Sequence, residues 1–163
     1  MSEQSFLVLS IVACLLGNGF FSGAEIAVIS VRRSRVETLI AEGSRVALRL
    51  KHLQDNMDDF LATVQIGVTL MGTMAGVLGG YLANLYIEPL VAATPFAKWI
   101  APPVAAAFFV GAGIVYVELI LGELVPKALA LRFTDATALI VAGPLDLLAR
   151  ASRWLVVFLT AST

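Results

Sequence analysis

The sequence contains one cysteine, Cys14, and one histidine, His52. A single thiol makes no internal disulfide, and it says nothing about redox compartment. His52 has no other nitrogen or sulfur donor nearby, so it reads as a solvated or interfacial histidine and not as a metal ligand. Charge is scarce as well. Only 14% of the 163 residues are charged and 59% are apolar, whereas a soluble domain is nearer one quarter and one half. The net charge of -1 provides no basic excess to attract nucleic acid. No G-x-x-x-x-G-K-[ST] loop is present, which excludes ATP hydrolysis by that route. The leading "MSEQS" has no basic residue, and the apolar run after it continues past the length of a signal-peptide core. That run is a retained span. With a mean hydropathy of +0.90, the chain reads as one all-α membrane domain.

Three segments reach the roughly 20 apolar residues that a helix needs to cross the hydrocarbon. They run from about Ser5 to Val31, Phe60 to Tyr81 and Trp99 to Leu124. Tyr81, Tyr86 and Trp99 flank them and suit a headgroup-level aromatic belt. The first link carries Arg32, Arg33, Arg35, Arg45, Arg49 and Lys51, and the second carries only Lys98. Lys127, Arg132, Arg150 and Arg153 follow the third span. The positive-inside rule therefore places the first link and the C-terminus in the cytoplasm and the N-terminus outside.

The first link, residues 33–58, repeats apolar residues at helical spacing: Val36, Leu39, Ile40, then Val46, Leu50 and Leu53. Gly43 divides it, which predicts two short amphipathic helices against the membrane. The tail over 128–160 is apolar, but Arg132, Asp135, Asp146, Arg150 and Arg153 interrupt it. Gly143 and Pro144 predict a break in its middle. Two amphipathic pieces along the cytoplasmic rim are expected there, with a fourth span over "ATALIVAGPLDLLA" as the alternative.

Polar groups inside a bilayer are costly and usually face a bundle interior or a wet cavity. Asn18, Ser22 and Glu25 share one face of the first span, at i, i+4 and i+7. Gln65, Thr69, Thr73 and Gly76 share a face of the second. On the third, Tyr116 and Glu123 are seven apart and share a face, with Glu118 pointing elsewhere. Oxygen donors of this kind suit hard cations such as magnesium, calcium or sodium. The competing reading is structural. Gly19-x-x-x-Gly23, Gly72-x-x-x-Gly76 and Gly76-x-x-x-Gly80 are also ordinary packing motifs. Membrane threonines such as Thr69 and Thr73 often bond to their own backbone. Glu123 lies four residues before Lys127, so a structural ion pair is its rival role.

Three blocks carry a resemblance: "FFSGAEIAVISVRRSRVETLIAEG" (Phe20–Gly43), "LATVQIGVTLMGTMAGVLGG" (Leu61–Gly80) and "GELVPKALALR" (Gly122–Arg132). In this order and spacing they resemble the transmembrane domain of the CorC/HlyC and cyclin M (CNNM) magnesium-transport family, in its bacterial CorC-like form. The resemblance implies a homodimer in the inner (plasma) membrane. Each subunit then has three transmembrane helices and a juxtamembrane belt helix. It implies a transporter, not an enzyme: magnesium is exported and sodium entry is the coupling ion flux. In the family a CBS-domain pair, which binds ATP with magnesium in some members, follows the membrane domain. This chain stops at Thr163, just past the belt, so ATP regulation through CBS domains is expected to be missing from it. The family's cation site maps onto Ser22 with Gly23, onto Thr69 and Thr73 or bare carbonyls of the second span, and onto Gly122 and Glu123. Asn18, Glu25 and Gln65 are left for sodium or for gating. A passive divalent-cation channel or importer, and a non-transporting magnesium-sensing anchor, are the other readings.

Overall fold

The computed structural model describes residues 3–160, and these are helical with short connections and no strand. Helix α1 (Glu3–Ser30) is lined on one side by small residues, with Gly19, Ser22, Gly23, Ala24 and Ala27 all buried. That face lets neighbouring backbones come close. Two short helices follow, α2 (Arg33–Ala41) and α3 (Arg45–Asp55), as the periodicity of the link predicts. Gly43 between them has a φ of +89°, a left-handed conformation that only glycine adopts without cost. The Ser44 hydroxyl then caps α3 by accepting from the Ala47 amide at 3.3 Å.

Helix α4 (Met57–Leu82) runs back along α1, and the Tyr81 hydroxyl donates to Glu3 Oε1 at 3.2 Å. It continues through a π-helical turn, Ala83–Ile87, into α5 (Glu88–Ala92). A 3₁₀ turn, Pro95–Lys98, leads to α6 (Pro102–Val117). A second π-helical segment, Glu118–Leu124, joins α6 to α7 (Val125–Arg132). The chain turns at Phe133 (φ -122°, ψ 45°) into α8 (Thr134–Thr160).

Three stretches are long and apolar enough to cross a membrane: Glu3–Ser30, Met57–Ala92 and Pro102–Arg132. The second and third are longer than the sequence predicts, for one shared reason. Each contains a proline, Pro89 or Pro126, that lacks an N–H and ought to break an α-helix. In each, the residue just before the proline bonds five residues back: Glu88 N–H to Ala83 O, and Val125 N–H to Ile120 O. The widened turn makes room for the proline ring, so the third stretch continues through Pro126 to Arg132, beyond the end at Leu124 that the sequence suggests.

The tail also differs from expectation. Gly143 and Pro144 do not divide it; α8 is one helix with Pro144 inside. Its Ala138, Val141, Ala142 and Leu145 are buried in a core shared with Leu50 and Leu53 of α3, Phe60 and Val64 of α4, and Ala24, Ala27 and Val28 of α1. Each large apolar side chain buried there is worth about 1.5–3 kcal/mol, enough together to hold the helix straight across one missing hydrogen bond. Interrupted by charges, α8 is not among the membrane-crossing stretches.

This core closes one end of the bundle. Gln54, only 5% exposed, donates from Nε2 to Val28 O at 3.2 Å and Val31 O at 3.0 Å. It satisfies carbonyls that the end of α1 leaves without helical partners. Arg33 in turn donates to Gln54 O at 3.1 Å. His52 Nδ1 lies 3.0 Å from Asp146, which Arg150 also reaches at 2.9 Å. The histidine therefore ties α3 to α8 and is not merely solvated. Away from this end the spans expose Phe108, Phe109, Val115, Leu119 and Leu121, as lipid-facing helices do.

Candidate cation site

The backbones of α1 and of the π-helical segment ahead of Pro126 approach closely. A Cβ on Gly19 would lie 3.0 Å from the Pro126 ring and 3.1 Å from Leu121 O. One on Gly23 would lie 3.3 Å from Pro126 O. Only glycine fits here without displacing backbone. Leu121 is five residues before Pro126. In the wide π register its carbonyl pairs with an amide that proline does not have. The fold thus brings a carbonyl without that partner against the polar face of α1.

Asn18 is 4% exposed on that face and Ser22, one turn on, is 3% exposed. The Asn18 amide donates from Nδ2 to Glu118 Oε1 at 3.2 Å. Its own oxygen, Oδ1, is buried and has no hydrogen-bond partner. An orphaned buried acceptor costs about 1–3 kcal/mol and calls for an explanation such as an ion or a water. On the far side of Glu118 stands α4, where a Cβ on Gly72 would come within 2.6 Å of Oε1. Gly122, also buried, closes the space between Asn18 and Glu118, with Asn18 Nδ2 3.0 Å from its would-be Cβ. Three helices therefore converge on one carboxylate and one orphaned amide oxygen, with the Leu121 carbonyl packed against Gly19 of α1. The donors are all oxygen. Among the described residues, no group of three or more histidine, cysteine or acidic side chains forms a metal cluster. This set suits a hard cation that retains part of its water shell.

The residues named from the sequence separate into four places. Asn18, Ser22, Gly23 and Gly122 come together on the α1 face and the π-helical segment. Glu123 does not turn toward them: it pairs with Lys127 Nζ at 2.6 Å and stays 44% exposed. The structural role weighed for it is the one it adopts. Gln65, Thr69 and Thr73 are exposed on α4, where with Ile66 and Leu70 they line an open groove of about 370 Å³. Glu25 is half-buried on α1, and no partner is recorded for it among the described residues. Glu118 is the residue that helical projection missed. A 3.6-residue period sends it away from the Glu123 face, but the π-helical turn shifts the phase and delivers it to Asn18. The signal available beforehand was Pro126 itself, since a proline inside a membrane helix must be accommodated somewhere just ahead of it.

A family profile described as the cyclin M transmembrane N-terminal domain matches residues 9–163. A UPF0053 protein of Synechocystis is 38% identical over 146 residues, covering 90% of this chain and 32% of that protein. The UPF0053 protein YhdP of Bacillus subtilis is 33% identical over 142 residues, covering 84% of this chain and 31% of that protein. A polyamine export protein of Haemophilus influenzae is 27% identical over 141 residues, covering 86% and 32%. The chain spans about a third of the length of these curated relatives.

Proposed function

Because the chain belongs to the cyclin M transmembrane-domain family, we propose that it carries a cation across the membrane through the site between α1, α4 and the π-helical segment. The orphaned Asn18 Oδ1 beside Glu118 is the observation that carries this reading. A packing contact has no use for an unpaired acceptor next to a carboxylate, whereas a cation satisfies both at once. Magnesium is the proposed cargo. Asn18 Oδ1, Glu118, the Ser22 hydroxyl and the Leu121 carbonyl replace part of its water shell. Glu123 joins them when it is released from Lys127.

Export of a doubly charged ion from a negative interior is uphill. Each charge costs about 2.3 kcal/mol per 100 mV, and magnesium twice that. Inward sodium is the proposed driver, with Gln65 and Glu25 as residues along its path or at its gate. The polar face of Gln65, Thr69 and Thr73 is costly toward lipid. Gly76 and Gly80 beside it have open space before them. This face supports a homodimer in which a second copy covers the groove.

The test is flux in liposomes containing the purified chain. An imposed sodium gradient is expected to move magnesium in the opposite direction, and Glu118→Gln is expected to abolish that movement. Magnesium uptake driven by voltage without sodium favours a channel. Absence of flux in every gradient favours a magnesium-sensing anchor. The polyamine export relative makes an organic polycation the competing cargo, so spermidine is tested in the same liposomes. Sodium-driven spermidine movement without magnesium movement would replace magnesium in this reading.

A further inference from the structure

A second polar site lies at the end of the bundle, apart from the cation site. A cavity of about 560 Å³ is lined by Ser30, Arg32, Ser34, Arg35, Thr38 and Thr134, together with Asp135. It sits where two spans finish, since α1 ends at Ser30 and the third span ends at Arg132. Both spans carry exposed apolar side chains up to its edge: Ile29 is 50% exposed, Leu131 61% and Phe133 54%. A polar cavity bordered by exposed apolar side chains at the ends of two membrane-length helices is placed as a headgroup site would be.

The donors in the cavity can be counted. Thr38 and Thr134 already donate to the carbonyls of Ser34 and Leu131, at 3.0 Å each. Ser30 and Ser34 keep their hydroxyls available, because no partner is recorded for them among the described residues. Arg35 is bridged to Asp135 at 3.4 Å, so those two charges offset each other. Arg32 has no carboxylate partner among the described residues. The cavity therefore holds two guanidinium groups, one carboxylate and a formal charge of +1, with free hydroxyls beside the unpaired guanidinium. A phosphodiester carries one negative charge and matches it. Inorganic phosphate, with a larger charge and no apolar portion, matches less well.

We infer that this cavity binds the phosphodiester headgroup of an anionic membrane lipid, with Arg32 as the principal contact, Ser30 and Ser34 as hydroxyl donors, and acyl chains along Ile29, Leu131 and Phe133. The bound lipid bridges the end of α1 to the start of α8. It would couple the composition of that leaflet to the end of the bundle where the buried core sits. The assignment does not depend on which cation the chain carries.

Binding is measured by native mass spectrometry of the purified chain in neutral detergent, titrated with phosphatidylglycerol or phosphatidylcholine. Phosphatidylglycerol is expected to bind more tightly, and Arg32→Gln to weaken it about fivefold, the effect of one basic group at an anionic lipid surface. Ser34→Ala, a smaller change that leaves every charge in place, is expected to weaken it in the same direction. Arg45→Gln removes a basic residue outside the cavity and is expected to leave binding within about twofold, since nonspecific attraction falls off within a Debye length. Equal loss in Arg32→Gln and Arg45→Gln would overturn the inference in favour of diffuse charge. So would equal binding of the two lipids. Displacement of phosphatidylglycerol by millimolar inorganic phosphate would overturn it in favour of a free anion.

Discussion

Replacing Gly72 with alanine moves one carboxylate and leaves every charge in place. The new methyl would stand 2.6 Å from Glu118 Oε1, and real Cβ contacts essentially never fall below 3.0 Å. The oxygen must therefore retreat by at least 0.4 Å, the difference between those two distances. Metal–oxygen distances in a working site hold to within about 0.2 Å, so a retreat along the metal–oxygen direction is about twice the tolerance. The displaced atom is the tip of a flexible side chain, so the helices need not move and the fold should survive. Losing one charged ligand interaction, about 1.5–3 kcal/mol, corresponds to magnesium affinity about 10- to 150-fold weaker. Gly113→Ala is the matched control, because a Cβ there meets nothing within 4 Å and gains the same helix propensity. The assay is thermal unfolding in detergent across a magnesium titration, which reads the affinity as ligand-linked stabilisation. If Gly72→Ala and Gly113→Ala bind magnesium equally well, Glu118 is not a ligand and the site assignment fails.

Other perturbations test the frame around the site. Gln54→Leu leaves the carbonyls of Val28 and Val31 without their donor. It is expected to destabilise the chain by about 2–4 kcal/mol, read by chemical unfolding in mixed micelles, and a change below about 0.5 kcal/mol would refute that role. Gly43→Ala forces alanine to a φ of +89°; a loss of about 1 kcal/mol in the same assay is expected, with no effect on cation binding. Asp146→Asn removes the charge that His52 and Arg150 both meet at a nearly buried position. Amide hydrogen exchange in α8 is expected to accelerate most around residues 138–150, while the middle of α1 stays protected. Acceleration spread evenly over all the spans would show that the tie is not local.

Much of the architecture follows from the sequence alone, because a bilayer admits few solutions. Runs of apolar residues long enough to cross must be helices, since lipid cannot satisfy a backbone. The three spans, the two short helices either side of Gly43 and the family are all legible in "FFSGAEIA", "EGSR" and "GELVPK". What the sequence could not settle was phase and direction around its prolines. Pro126 and Pro144 both look like breaks, yet the helix passes through each. A π-helical turn accommodates the first, and burial of Ala138, Val141, Ala142 and Leu145 outweighs the second. Glu118 and Glu123 are five residues apart; a regular helical projection favours Glu123, whereas Glu118 is the one that meets Asn18 while Glu123 pairs with Lys127. Composition determined that this chain belongs in a membrane and that the polar side chains of its spans present mainly oxygen. Only the tertiary structure decided which carboxylate meets Asn18, because one widened turn rotates the helix by less than a residue type can reveal.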